Sequence, residues 1–71
     1  VMPTKHIKIT TQFAQNLKKI RKEKGLSQDK MGKLGIRRTY VSYIEQGRNV
    51  SIDTIEKLAK ALKINAYKFF E

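Results

Sequence analysis

Apolar side chains recur along the chain at helical spacing. Phe13, Leu17 and Ile20 fall at i, i+4 and i+7, one face of a helix. Thr10 or Thr11 can cap its start. Lys18, Lys19, Lys22 and Lys24 populate the rest, and Gly25 stops it after a basic last turn that suits a helix C-terminus. Leu26 to Gly35 reads as a second helix, with Ser27 as N-cap, Asp29 in the first turn, and Met31 and Leu34 as the buried pair. Gly32 costs about 1 kcal/mol against Ala in a helix interior, which predicts a crossing too close for a side chain. A third helix runs from Arg38 to Gln46 with Val41 and Ile44 inward, and Gly47 ends it. Ser51 caps a fourth helix, whose apolar stripe is Ile52, Ile55, Leu58, Ala59 and Leu62. Asn65 caps a last short helix holding Tyr67, Phe69 and Phe70. Five short helices joined by tight turns make an all-α protein. Residues 1–10, a basic leader with the only Pro and His, are expected to be poorly ordered or briefly extended, ahead of one domain over 11–71.

Composition narrows what such a bundle can do. A chain of 71 residues allows one domain with a small core. The absence of Cys removes disulfides and Cys-based zinc sites and fits a cytoplasmic setting. No apolar run approaches the roughly 18 residues of a membrane span, and no signal-peptide core is visible. The formal charge is +10, and it is lopsided. Residues 1–38 carry eleven basic and two acidic side chains, a surplus of nine, whereas 39–71 carry five and four, a surplus of one. A field of that strength on one half attracts polyanions.

The second and third helices meet at Leu34-Gly35-Ile36-Arg37, a helix–glycine turn–helix arrangement. On a wheel of the third helix, Val41 and Ile44 face the core while Arg38, Thr39, Ser42 and Tyr43 lie outside. That outer face is polar, rich in donors and free of acids, which suits a major groove. Arg38 can address guanine O6 and N7 together, Thr39 a thymine methyl or a base acceptor, Ser42 a base edge, and Tyr43 a base edge or a phosphate. Arg37 at the helix start, Gln28 at the start of the second helix, and Arg48 and Asn49 after the third are candidate phosphate contacts. The same positions also describe an ordinary solvated face and a polar loop. Arg21 follows Ile20, and Glu45 follows Ile44. Both fall at the rim of the core, where a structural ion pair is expected. The aromatics Tyr67, Phe69 and Phe70, with Leu62 and Ile64, are candidates for a dimer interface, for the protomer's own core, or for both.

Three stretches in order resemble the Xre/Cro–CI helix-turn-helix family: Leu26-Ser27-Gln28, the run Arg38-Thr39-Tyr40-Val41-Ser42-Tyr43-Ile44-Glu45-Gln46-Gly47, and the segment from Ser51 to Leu62. The likeness covers roughly Phe13 to Phe70. The Arg-Thr-Tyr-Val-Ser helix and the aromatic C-terminal segment are most similar to restriction–modification controller proteins, with phage repressors and antitoxins as near relatives. The resemblance implies a five-helix, lambda-repressor-like fold, a dimer and an operator with two half-sites. It also implies the Arg21–Glu45 pair, phosphate contact by Gln28, and base contacts by Arg38, Thr39 and Tyr43. The chain departs from the family in being one residue shorter between Gln28 and Arg38 and again between Gly47 and Ser51, and in carrying Arg37 where the family usually has a capping Ser or Asp.

These readings make the chain a regulator that binds double-stranded DNA as a homodimer, of bacterial or phage type and nucleoid-associated. No cofactor, no metal, no small-molecule effector and no membrane partner are expected. The alternative is an antitoxin or other interaction module that uses the C-terminal apolar patch. Single-stranded RNA binding fits less well, because aromatic stacking platforms are missing from the basic half apart from Phe13, which belongs to an apolar stripe. An enzyme is not expected: no carboxylate pair at usable spacing and no phosphate-cradling glycine loop occur.

Overall fold

The computed structural model describes residues 8–71. Three α-helices and two 3-10 helices follow one another: α1 (Ile9–Glu23), η1 (Lys30–Leu34), α2 (Arg38–Glu45), α3 (Ile52–Leu62) and η2 (Ala66–Phe70). The described residues contain no strand. The expected second and fifth helices are therefore single 3-10 segments, and the five-helix description needs that correction. A 3-10 helix rises about 2.0 Å per residue against 1.5 Å in an α-helix, so the five residues of η1 span what six or seven α-helical residues would.

α1 starts earlier than expected. Its N-cap is Lys8, without a side-chain cap, so neither Thr10 nor Thr11 caps it. Residues 9 and 10, assigned to the leader, belong to the helix, and residue 8 stands at its N-cap; residues 1–7 lie outside the described residues. Two serines do cap. Ser27 Oγ accepts from the Lys30 amide at 3.1 Å and Ser51 Oγ from the Thr54 amide at 3.2 Å. Each satisfies one of the amides that every helix start leaves open.

The turns that end α1, η1 and α3 share one construction. The amide of the residue after the left-handed position reaches back five residues: Leu26 to Arg21 O at 3.0 Å, Ile36 to Met31 O at 3.1 Å and Ile64 to Ala59 O at 3.0 Å. This is the Schellman arrangement, in which an apolar side chain follows the left-handed residue. Leu26, Ile36 and Ile64 fill that role and pack against the core. At Gly35 the backbone has φ +90°, which a side chain rarely tolerates. α3 ends instead on Lys63 at φ 58°, a strained choice for a residue with a Cβ.

The core is Phe13, Leu17, Met31, Ile36, Val41, Ile44, Leu58, Ala59, Leu62 and Phe69. Phe13 and Phe69 meet edge to face with centroids 4.7 Å apart. Three apolar positions depart from expectation. Leu34 is 39% exposed and Ile52 is 75% exposed; Ile36, in the turn, is buried in place of Leu34. Positions 31 and 34 nearly eclipse in a 3-10 helix, so the winding does not account for the exposure of Leu34; the left-handed turn at Gly35 brings Ile36 into the core instead. Ile52 opens α3, ahead of the turn where its apolar stripe reaches the core. Gly32 is exposed and has no atom within 4 Å of where a Cβ would sit. The close crossing predicted there does not exist.

The amides of Gln12 and Asn16, one turn apart on α1, hold η2 down. Asn16 Nδ2 donates to Phe69 O at 2.6 Å, and Gln12 Nε2 donates to Phe70 O at 2.9 Å. These bonds satisfy carbonyls at a helix end that would otherwise lack partners.

Candidate nucleic-acid interface

α2 sits between a buried and an open face. Val41 and Ile44 are wholly buried, while Arg38, Thr39, Tyr40 and Tyr43 are exposed and Ser42 is half-buried. Arg37 precedes the helix in extended conformation, φ −62° and ψ 142°, and offers no side-chain cap. The first amides of α2 therefore have no side-chain partner from that position.

A buried polar cluster anchors this helix. Arg21 Nε donates to Glu45 Oε2 at 2.8 Å, and Arg21 Nη2 donates to Glu45 Oε1 at 3.1 Å. The two side chains are 6% and 5% exposed. The remaining guanidinium nitrogen, Nη1, donates to Leu26 O at 2.7 Å, the backbone of the turn between α1 and η1. The two-pronged geometry matches the fork of Arg to the two carboxylate oxygens. One ion pair thus binds α1, α2 and the entry to η1 together. Gln28 belongs to the same cluster: its Nε2 donates to Glu45 Oε1 at 3.2 Å. One amide proton of Gln28 is engaged here, which leaves the second proton and the carbonyl oxygen for another partner.

Arg37, Thr39, Tyr43 and Asn49 line one open depression together with Tyr40. Tyr40 and Tyr43 stack with centroids 6.2 Å apart and planes 14° from parallel. The Arg48 guanidinium lies 5.5 Å from the centroid of the Tyr43 ring, within cation–π range. Tyr40 O–H and Thr54 Oγ1 lie 3.2 Å apart, joining α2 to the start of α3. Arg38 stands beside Asp29, Nε to Oδ1 3.6 Å, with both side chains largely exposed. Tyr40, Asp29 and Thr54 are not among the site residues that the sequence predicts. Tyr40 is visible in retrospect as the partner of Tyr43 at i+3. Asp29 and Thr54 carry no local signal.

The proposed dimer residues divide. Leu62 and Phe69 are 2% and 0% exposed and belong to the protomer's own core, so they are withdrawn from a partner surface. Tyr67 at 60%, Phe70 at 37% and the half-buried Ile64 remain. Phe70 also stacks on Phe13 with centroids 5.8 Å apart.

A short helix in a glycine turn, packed by two apolar residues and presenting basic, hydroxyl and aromatic side chains, defines a helix-turn-helix DNA-binding regulator. The helix-turn-helix family matches residues 17–69, and the chain belongs to it, in its Xre/Cro–CI branch. Within that family its similarity is to restriction–modification controllers. It shares 47% identity over 55 residues with the control protein C.BamHI of Bacillus amyloliquefaciens, covering 73% of this chain and 68% of that one. The structure of the controller protein C.AhdI from Aeromonas hydrophila superposes with a TM-score of 0.79 at 44% identity, covering 86% of this chain and 96% of that one. The controller protein C.Esp1396I, solved as a tetramer in complex with its natural 35 base-pair operator, gives 0.78 at 34% identity over 92% of this chain and 88% of that one.

Proposed function

We propose that the chain is a sequence-specific regulator of transcription that binds an operator with two half-sites as a homodimer. The observation that carries this reading is α2 itself: an outward face of Arg38, Thr39, Ser42 and Tyr43 on a helix locked from behind by Arg21 and Glu45. Basic side chains capture the duplex first, neutralising phosphates and releasing counterions, so affinity falls steeply with salt. α2 then enters the major groove. Arg38 reads guanine, and Thr39, Ser42 and Tyr43 read neighbouring base edges. Arg37, Arg48 and Asn49 grip the flanking phosphates, with Arg48 seated over Tyr43. Gln28 offers a phosphate the amide proton that Glu45 leaves free. A protomer paired through Ile64, Tyr67 and Phe70 would set two recognition helices about 34 Å apart. The operator complex of C.Esp1396I supports the DNA partner and an oligomer.

Selection of bound sequences from random duplexes tests this. Enrichment of a two-fold-symmetric motif is the expected result, and no enrichment at moderate salt sinks it. The exposed Tyr67 and Phe70 also suit a foreign partner, as in an antitoxin. A native mass of two chains without any other protein argues for the homodimer; a monomer that shifts only on adding a partner argues for the interaction module.

A further inference from the structure

One acidic group stands on the recognition side, where contacts to bases and phosphates have no use for it. Residues 1–38 contain only two carboxylates, Glu23 and Asp29. Glu23 lies on α1 in a depression with Asn16, Lys19, Lys68 and Glu71, apart from α2. Asp29 is 77% exposed and stands 3.6 Å from Arg38 Nε. An acid beside a phosphate-binding surface weakens binding to any duplex. Its own side chain contributes no cap bond to η1; Ser27 supplies that.

We propose that Asp29 is a positioning residue that aims Arg38 at its base, and so helps to set sequence preference. The inference rests on the base-reading role of Arg38 proposed above. Three observations carry it. First, Asp29 addresses the Nε side of the guanidinium. Among the described residues no side chain bonds the two terminal Nη groups, and they are donors spaced to meet guanine O6 and N7. Second, Arg37 and Arg38 stand at the N-terminus of α2, where no acid occupies the first turn. Cations are disfavoured at that positive helix end, and Asp29 supplies the missing counter-charge from a neighbouring segment. Third, Asp29 is itself held. Its carbonyl accepts from the Gly32 amide at 3.0 Å, and Ser27 closes the same turn. The carboxylate is therefore presented from backbone that the Ser27 cap fixes. In water an exposed pair of this length contributes little. Against DNA both groups lose solvent, the pair strengthens, and an arginine already restrained gives up less freedom on meeting its base.

The geometry also distinguishes positioning from simple repulsion. A carboxylate that only repelled phosphates would, when removed, improve every duplex alike. A carboxylate that aims Arg38 would, when removed, improve unrelated duplexes but flatten the preference at one base pair.

The test uses the full chain and the duplex recovered by selection, with each guanine of a half-site replaced in turn by adenine. Arg38→Ala, Asp29→Ala, Asp29→Asn and the double variant are compared with the parent, together with thermal unfolding. The expected result is that Arg38→Ala abolishes discrimination at one guanine. Asp29→Ala then reduces discrimination at that same guanine about 3- to 10-fold, while binding to an unrelated duplex tightens by roughly 2-fold. Asp29→Asn, which keeps the acceptor and loses the charge, falls between. In the Arg38→Ala background, Asp29→Ala changes no base preference. If Asp29→Ala leaves the guanine preference intact while Arg38→Ala destroys it, Asp29 has no positioning role. A uniform loss across all duplexes with lowered thermal stability would make Asp29 structural and equally overturn the proposal. If Arg38→Ala itself leaves the preference intact, the underlying assignment of Arg38 to a base fails instead.

Discussion

The two 3-10 helices are built alike and held differently. η1 and η2 each have five residues and one fully buried side chain, Met31 in the first and Phe69 in the second. η1 is held locally, by Ser27 at one end and the Gly35 turn at the other. η2 is held from a distance, by Gln12 and Asn16 on α1, 53 to 59 residues away in sequence. Neither segment has the length at which a helix stands by its own hydrogen bonds. Each therefore depends on one anchor plus partners for its end groups. η1 delivers Asp29 and the turn into α2, so its local fastening keeps the proposed reading surface independent of the far end. η2 carries Tyr67 and Phe70, so the proposed partner surface is only as firm as its attachment to α1.

Substitutions can break this contrast in order of size. Phe69→Ala removes the anchor of η2 and the edge contact to Phe13, and should cost about 3–5 kcal/mol. Met31→Ala should cost about 2–4 kcal/mol, as Met is the smaller payload. Chemical denaturation of both variants checks the order, and a larger loss at Met31 would refute the ranking. Glu45→Ala strands a buried guanidinium and frees Gln28. The expected loss is also about 3–5 kcal/mol, whereas changing Arg21 and Glu45 together to well-packed apolar residues should cost much less.

Smaller changes sharpen the same comparison. Asn16→Ala should lower stability by about 1 kcal/mol and weaken self-association more than DNA binding at saturating protein, since it loosens η2 and leaves α2 alone. Sedimentation with and without duplex separates the two. Smallest of all, Lys63→Gly relieves the left-handed backbone at the end of α3 and should raise stability by up to about 1 kcal/mol. A decrease in the melting temperature would show that the Lys63 side chain contributes more than the strain costs.

Much of α2 is legible in the sequence. Val41 and Ile44 inward and Arg38, Thr39 and Tyr43 outward follow from a period of 3.6 over eight residues. The caps at Ser27 and Ser51 were equally legible, because a hydroxyl just ahead of a helix has one strong use. The winding of η1 was not. Over five residues, periods of 3 and 3.6 drift apart by less than one position, and both set Met31 and Leu34 on nearly one face. Neither period tells that Ile36 rather than Leu34 fills the core there, and Gly32 shows that a glycine in a helical pattern need not mark a close crossing. Ile52 misled because a stripe on a wheel does not say how far along the helix the core extends. The amide bonds of Gln12 and Asn16 join opposite ends of the chain, and no local pattern announces such a pairing. The division of the C-terminal aromatics turned on which ring reached Phe13 edge-on, a matter of packing.

The fastening of η2 to α1 also bears on when the protein can fold during synthesis. Phe13 is made early and Phe69 nearly sixty residues later, so the ring that completes the core emerges after every other helix. A nascent chain still short of Phe69 leaves Phe13 facing water, and the amides of Gln12 and Asn16 have no carbonyls to meet. Closing so distant a contact is slow to begin and rewarding only once made. α2, fastened locally, is thus translated well before the contact of Phe13 with Phe69 can close the core, and a chain cut ahead of Phe69 should be proteolysed faster than one that includes it.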